Sequence, residues 1–118
     1  MKNIVKFAKS LSDENRLKII RMLSERDLCV QELTDILGAP QARISQHLMR
    51  LRSEGIVDDR REGRNVVYSL NKKTLKLKIK KLKKFIFTDI RAEDILPDEF
   101  ARLDAIAAAQ KTGAAPRE

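Results

Sequence analysis

The hydrophobic period of the chain changes twice, and those changes limit the folds open to it. From Asn3 to Ser53 apolar residues recur every three or four positions, from Ile56 to Leu70 they alternate, and after Asn71 the helical spacing returns. Four helices, a short hairpin and further helix are therefore expected. Ile4, Phe7, Ala8 and Leu11 give the first helix its stripe. Ser12 is the expected cap of the second, with Asp13 and Glu14 in its first turn. Leu17, Ile20 and Leu23 form that helix's inward stripe, widened by Ile19 and Met22. Asp27 to Cys29 is a break. A third helix runs from Val30 to Leu37, with Val30, Leu33 and Leu37 inward and Gly38 just past its end. Pro40 suits the first position of a fourth helix, because the N–H it lacks would go unused there. That helix reaches about Ser53 and stops at Gly55.

In the alternating segment, Ile56 to Arg60 pairs with the strand carrying Val66, Tyr68 and Leu70, around Glu62-Gly63. Arg60, Arg61 and Arg64 stand at the hairpin tip. Beyond it Leu75, Ile79, Leu82 and Ile86 fall at i, i+4, i+7 and i+11, with Phe85 beside them and Ile90 beyond. Pro97 breaks the chain before a short helix over about 98–110, with Phe100, Leu103 and Ala107 on one side; 111–118 is expected to fray. The fold class is thus mainly α with a small β-hairpin: an ααααβ-βα core over 1–90, then a C-terminal helical extension over 91–118.

Net charge narrows the partners. The chain carries +8, placed unevenly: 13 basic against 10 acidic side chains in 1–70, eight lysines against Asp89 in 71–90, and 4 against 6 in 91–118. Such a surplus favours polyanions. The single cysteine, Cys29, allows no intrachain disulfide and suits a reducing cytoplasm. Neither a secretory signal nor an apolar run of about 20 residues is present, so nothing is expected to span a membrane. One histidine and four scattered glycines leave no nucleophile–base pair and no phosphate-cradling loop, so catalysis is not expected and no cofactor is called for.

Two short helices joined through Gly38-Ala39-Pro40 have the length and turn of a helix-turn-helix, whose second helix lies in the major groove of double-stranded DNA. On that helix Ile44, Leu48 and Leu51 share an inward face. Gln41, Ala42, Arg43, Ser45, Gln46, Met49 and Arg50 are the candidate DNA-reading residues: Arg pairs with guanine, Gln with adenine, and Ser with bases or phosphates. No acidic residue falls between Asp35 and Glu54, so nothing on this face repels phosphate. Arg60, Arg61 and Arg64 would carry the hairpin along phosphates or into a minor groove.

The run FAKSLSDENRLKIIRML, then DLCVQELTDIL, then ARISQHLMRLRSEGIVDDRREGRNVVYSL resembles the ArsR/SmtB family, chiefly through its SxHLxxLRxxGxV pattern and RxGRxxxYxL wing. The resemblance implies a winged helix-turn-helix and a homodimer formed through the first and last core helices, here about 3–11 and 72–90. It also implies repression relieved by an inducer. Ile4, Phe7, Leu75, Ile79, Leu82, Phe85 and Ile86 would form the dimer face. His47 stands where the family motif has histidine, but lies about 60° round the helix from Ile44, so a DNA contact and a packed role both remain open.

The family's paired-cysteine arsenic pattern is incomplete: DLCVQEL keeps Cys29 and has Gln31 at the second position. The dimer-helix zinc pattern of histidine and carboxylates has no ligand in 72–88. Soft metals want two or three thiolates, so no metal site is expected. Cys29 is either a half-buried residue at a helix start or a thiol responsive to oxidant or arsenite. Two other classes compete with a regulator: a winged-helix protein-assembly module, and a peripheral membrane module built on the Lys-rich helix with Phe85, Ile86, Phe87 and Ile90.

Overall fold

Helix α1, Lys2–Leu11, ends at Ser12, whose hydroxyl donates to the Lys9 carbonyl. Ser12 is therefore spent on closing α1 and does not cap the next helix. Asp13 does: its carboxylate accepts from the Arg16 N–H at 3.1 Å and opens α2, Glu14–Glu25. Burial alone would raise the Asp13 pKa. The Arg16 N–H, then the charge of His47, the Asn15 N–H and the charge of Arg16 outweigh it, and the carboxyl lies below its ordinary value. Asp13→Ala should cost about 1 kcal/mol near neutral pH. Because the folded-state pKa is depressed, this contribution is complete above the ordinary value of 3.8 and fades as pH falls through the folded value. Urea melts of both proteins at neutral and strongly acid pH should converge at the acid end.

In the computed structural model, which describes residues 1–88 and 90–111, the remaining elements follow in order. They are β1 Leu28–Cys29, α3 Val30–Leu37, α4 Gln41–Ser53, β2 Val57–Glu62, β3 Asn65–Leu70, α5 Lys72–Phe87, a 3-10 turn at Arg91–Glu93 and α6 Pro97–Lys111. The expected frayed end lies, from 112 onward, outside the described residues. Helix α5 stops at Phe87, short of the expected residue 90. The expected break at 27–29 contains a strand: Leu28 pairs with Tyr68 and Cys29 with Val67, so the hairpin becomes a three-stranded antiparallel sheet in the order β1-β3-β2. Val57 to Glu62 faces Leu70 to Asn65, leaving a two-residue turn at Gly63-Arg64. Gly63 has φ +60°, which a two-residue hairpin turn of this kind needs at its first position.

Contacts divide the chain into two units, 1–82 and 83–118. The first has a core of Phe7, Ile19, Leu23, Leu28, Leu33, Ile44, Leu48, Leu51, Ile56 and Val57, with Leu75 and Leu82 packed partly against it. Leu17, expected inward, is 50% exposed, since α2 turns Ile19 and Leu23 to the core instead. Phe7, expected on a dimer face, is only 2% exposed and fills the chain's own core. The stripe on α5 divides likewise: Leu75 and Leu82 serve the core, while Ile79 stays 48% exposed. In the second unit the Arg91 guanidinium lies 4.3 Å over the Phe100 ring and pairs with Asp104 at 2.8 Å, tying the 3-10 turn to α6.

Candidate nucleic-acid interface

Helices α3 and α4 are joined by Gly38, Ala39 and Pro40. Gly38 has φ +64°, and its N–H closes α3 on the Thr34 carbonyl at 2.9 Å. A side chain would be strained there, which fixes why glycine stands at this corner. Pro40 is extended (ψ 141°) and precedes α4 as its cap residue, one position earlier than expected. From that cap the Arg43 and Ile44 N–H groups reach the Pro40 carbonyl.

Helix α4 then sorts its residues as its spacing predicts. Ile44, Leu48 and Leu51 are fully buried. Gln41, Ala42, Arg43, Gln46, Met49 and Arg50 are exposed, and Ser45 is half-exposed. Arg43 and Arg50 make no ion pair among the described residues, so both guanidinium groups are available to bases or phosphates.

His47 is turned the other way. Its side chain is 12% exposed, the Arg16 guanidinium donates to Nδ1 at 3.2 Å, and Nε2 lies 3.5 Å from Asp13 Oδ1 without a hydrogen bond. The ring is thus held against the start of α2, at the margin of the outward face and one turn beyond Arg43. Arg16 also donates to the Ser10 and Lys9 carbonyls at 2.8 and 2.9 Å. One guanidinium therefore joins the end of α1 and the back of α4 to α2. Sequence reading missed this, since a lone Arg in a first turn carries no signal of a partner 31 residues away.

The hairpin tip is also redistributed. Arg60, expected at DNA, reaches across the sheet to Asp27 at 2.7 Å and to Glu62 at 2.8 Å. These two carboxylates, Asp27 first, hold its guanidinium more firmly protonated than usual. It clasps the wing to the α2–β1 connection. Arg61 and Arg64 are exposed and make no ion pair among the described residues. Arg52 pairs with Asp59 at 3.2 Å, fastening the end of α4 to β2.

Cys29 is half-buried at the start of α3, where the Glu32 carboxylate accepts from its N–H at 2.9 Å. That N–H first, then the thiol, lowers the Glu32 pKa. Among the described residues no cluster of three or more His, Cys, Asp or Glu is placed to hold a metal, and no helix is long and apolar enough to cross a membrane.

Helix, glycine corner, buried-backed helix and three-stranded wing together define a winged helix-turn-helix, the class of protein that lays one helix in a DNA groove. The family model for the bacterial regulatory proteins of the arsR family matches residues 13–59, from the α2 cap into β2. The transcriptional activator HlyU of Vibrio cholerae is 39% identical over 74 residues, covering 63% of this chain and 68% of that protein. The arsenical resistance operon repressor of Escherichia coli is 43% identical over 68 residues, covering 57% and 58%. The solved structure of HlyU from Vibrio cholerae superposes with a TM-score of 0.60 at 36% identity, over 71% of this chain and 91% of that one. The chain belongs to the ArsR family and is a DNA-binding transcription regulator, not an enzyme. It spans between about half and two thirds of the length of such curated relatives.

Proposed function

We propose that the chain acts as a cytoplasmic homodimer that binds a partly palindromic operator and represses transcription until an inducer releases it. The observation that carries this reading is the recognition helix. Arg43, Gln46, Met49 and Arg50 stand exposed on an acid-free face, with Ile44, Leu48 and Leu51 fully buried behind them. Arg43 and Gln46 read base edges, Gln41, Ala42 and Ser45 border them, and Arg61 and Arg64 hold phosphates beside the wing. Repression is favoured by the similarity to the arsenical resistance operon repressor, although HlyU is named an activator. The dimer face uses Ile4 and Ile79, which the first unit's own core leaves partly exposed.

The test is duplex binding. The purified protein should prefer its own upstream DNA over random duplex. Arg43→Ala and Gln46→Ala should each cost about 1–3 kcal/mol of that preference and leave dimerisation intact. If both variants keep the wild-type preference, the outward face of α4 does not read DNA and a protein-assembly role takes its place.

A further inference from the structure

The recognition helix is flanked by a second cationic face. Lys2, Lys6 and Lys9 recur at i, i+4 and i+7 along α1, which contains no acidic residue. With Met1, Val5 and Arg50 they line one groove of about 430 Å³. Arg50 lies seven residues beyond Arg43, so it shares nearly the same azimuth about 10 Å further along α4. The lysine face of α1 is therefore continuous with the candidate DNA-reading face. Lys6 is committed: it pairs at 3.3 Å with Glu54, which is 8% exposed and also lies 3.9 Å from Lys78. Lys2, Lys9 and Arg50 have no carboxylate partner among the described residues.

We infer that Lys2 and Lys9, together with Arg50, form a second contact to the DNA backbone, gripping phosphates beyond the base pairs read by the first turns of α4. This rests on the proposed DNA reading and adds α1 to it. The spacing favours DNA over a small anion. Lys2 and Lys9 are strung about 10 Å along a helix axis. One small carboxylate or phosphate cannot satisfy both, whereas a strand offers a phosphate every 3.4 Å of duplex axis, or roughly three over that length. Sequence-independent phosphate contacts set register and affinity without choosing bases.

The test uses the whole chain and a random-sequence duplex of about 30 base pairs, titrated between about 50 and 200 mM salt. Lys2→Ala/Lys9→Ala should reduce the slope of log affinity against log salt by about 1.8, or 0.9 per lost phosphate contact. The loss should be equal on upstream and random DNA, with an unchanged melting curve. Lys76→Ala/Lys80→Ala on α5 removes the same charge away from the groove and should change the slope by less than half as much. A wild-type slope in the α1 variant, or an equal drop in the α5 variant, would overturn the inference. Failure of the wild-type chain to bind any duplex would overturn the DNA reading itself. Loss of discrimination in Arg43→Ala beside an unmoved slope in the α1 variant would overturn only the α1 contact.

Discussion

Ile79→Glu should convert the proposed dimer to monomer and, with it, abolish operator binding at concentrations where the wild-type protein is saturated. Ile79 is 48% exposed, although it sits within one stripe with Leu75 and Leu82, which pack against the core. The first unit thus leaves an apolar edge on α5 that its own core does not cover. A two-fold partner would cover it, and symmetry would then place any substitution twice in one interface. A carboxylate buried there without a partner costs about 2–3 kcal/mol per site, so about 5 kcal/mol per dimer or between three and four decades in dissociation constant. Operator binding falls further, because two linked reading heads bind far more tightly than one. Sedimentation equilibrium reads the first effect and duplex titration the second. Circular dichroism should show the helices intact, since the side chain is already half in water. A variant that remains dimeric would move the interface off α5.

What the sequence made legible is what depends on periodicity and on local turn chemistry. Ile44, Leu48 and Leu51 are fully buried where a 3.6-residue period places them, and Val30–Leu37 ends at Gly38 because only glycine accepts that left-handed corner cheaply. The hairpin followed from alternation around one Gly-containing turn. What stayed hidden depends on partners distant in sequence. Strand β1 is two residues long and exists only because Tyr68 and Val67 lie beside it. Arg60 looks like a wing residue until Asp27, 33 positions away, is seen to accept from it. His47 sits at the edge of a helical wheel, and the Arg16 guanidinium decides the side. Ser12 and Asp13 are both good caps, and only the backbone geometry shows that one closes α1 and the other opens α2. The α5 stripe was visible as apolar, but its division between the chain's own core and an exposed edge needed the positions of α1 and α2. Phe7 shows the same limit: a helical face records that a residue avoids water, not which body covers it.

Leu48→Ala should have the largest effect on stability, and its consequence for function is separable from unfolding. Leu48 is fully buried between Ile44 and Leu51 on the inner face of α4, in a core shared with Leu33 of α3 and Ile19 of α2. Removing its three outer carbons loses their transfer energy and leaves a cavity, together about 2–5 kcal/mol. A chain of this size has only about 5–15 kcal/mol in total, so the melting temperature should fall by roughly 6–30 °C, or the fold should be lost at growth temperature. Met49→Ala is the contrast: its side chain is 71% exposed, and the change should stay within about 0.5 kcal/mol. Met49 belongs to the face placed against DNA, where its loss would show in binding. The two neighbours should therefore separate: Leu48→Ala lowers stability first, and Met49→Ala changes duplex affinity at unchanged stability. Denaturant titration of both, followed by duplex titration at a temperature where each remains folded, reads the difference. Equal stability of the two variants would mean that α4 presents a different face to the core. The assignment of Arg43, Gln46 and Arg50 as the outward row would then fail with it, because one helix cannot rotate a single residue without carrying the others.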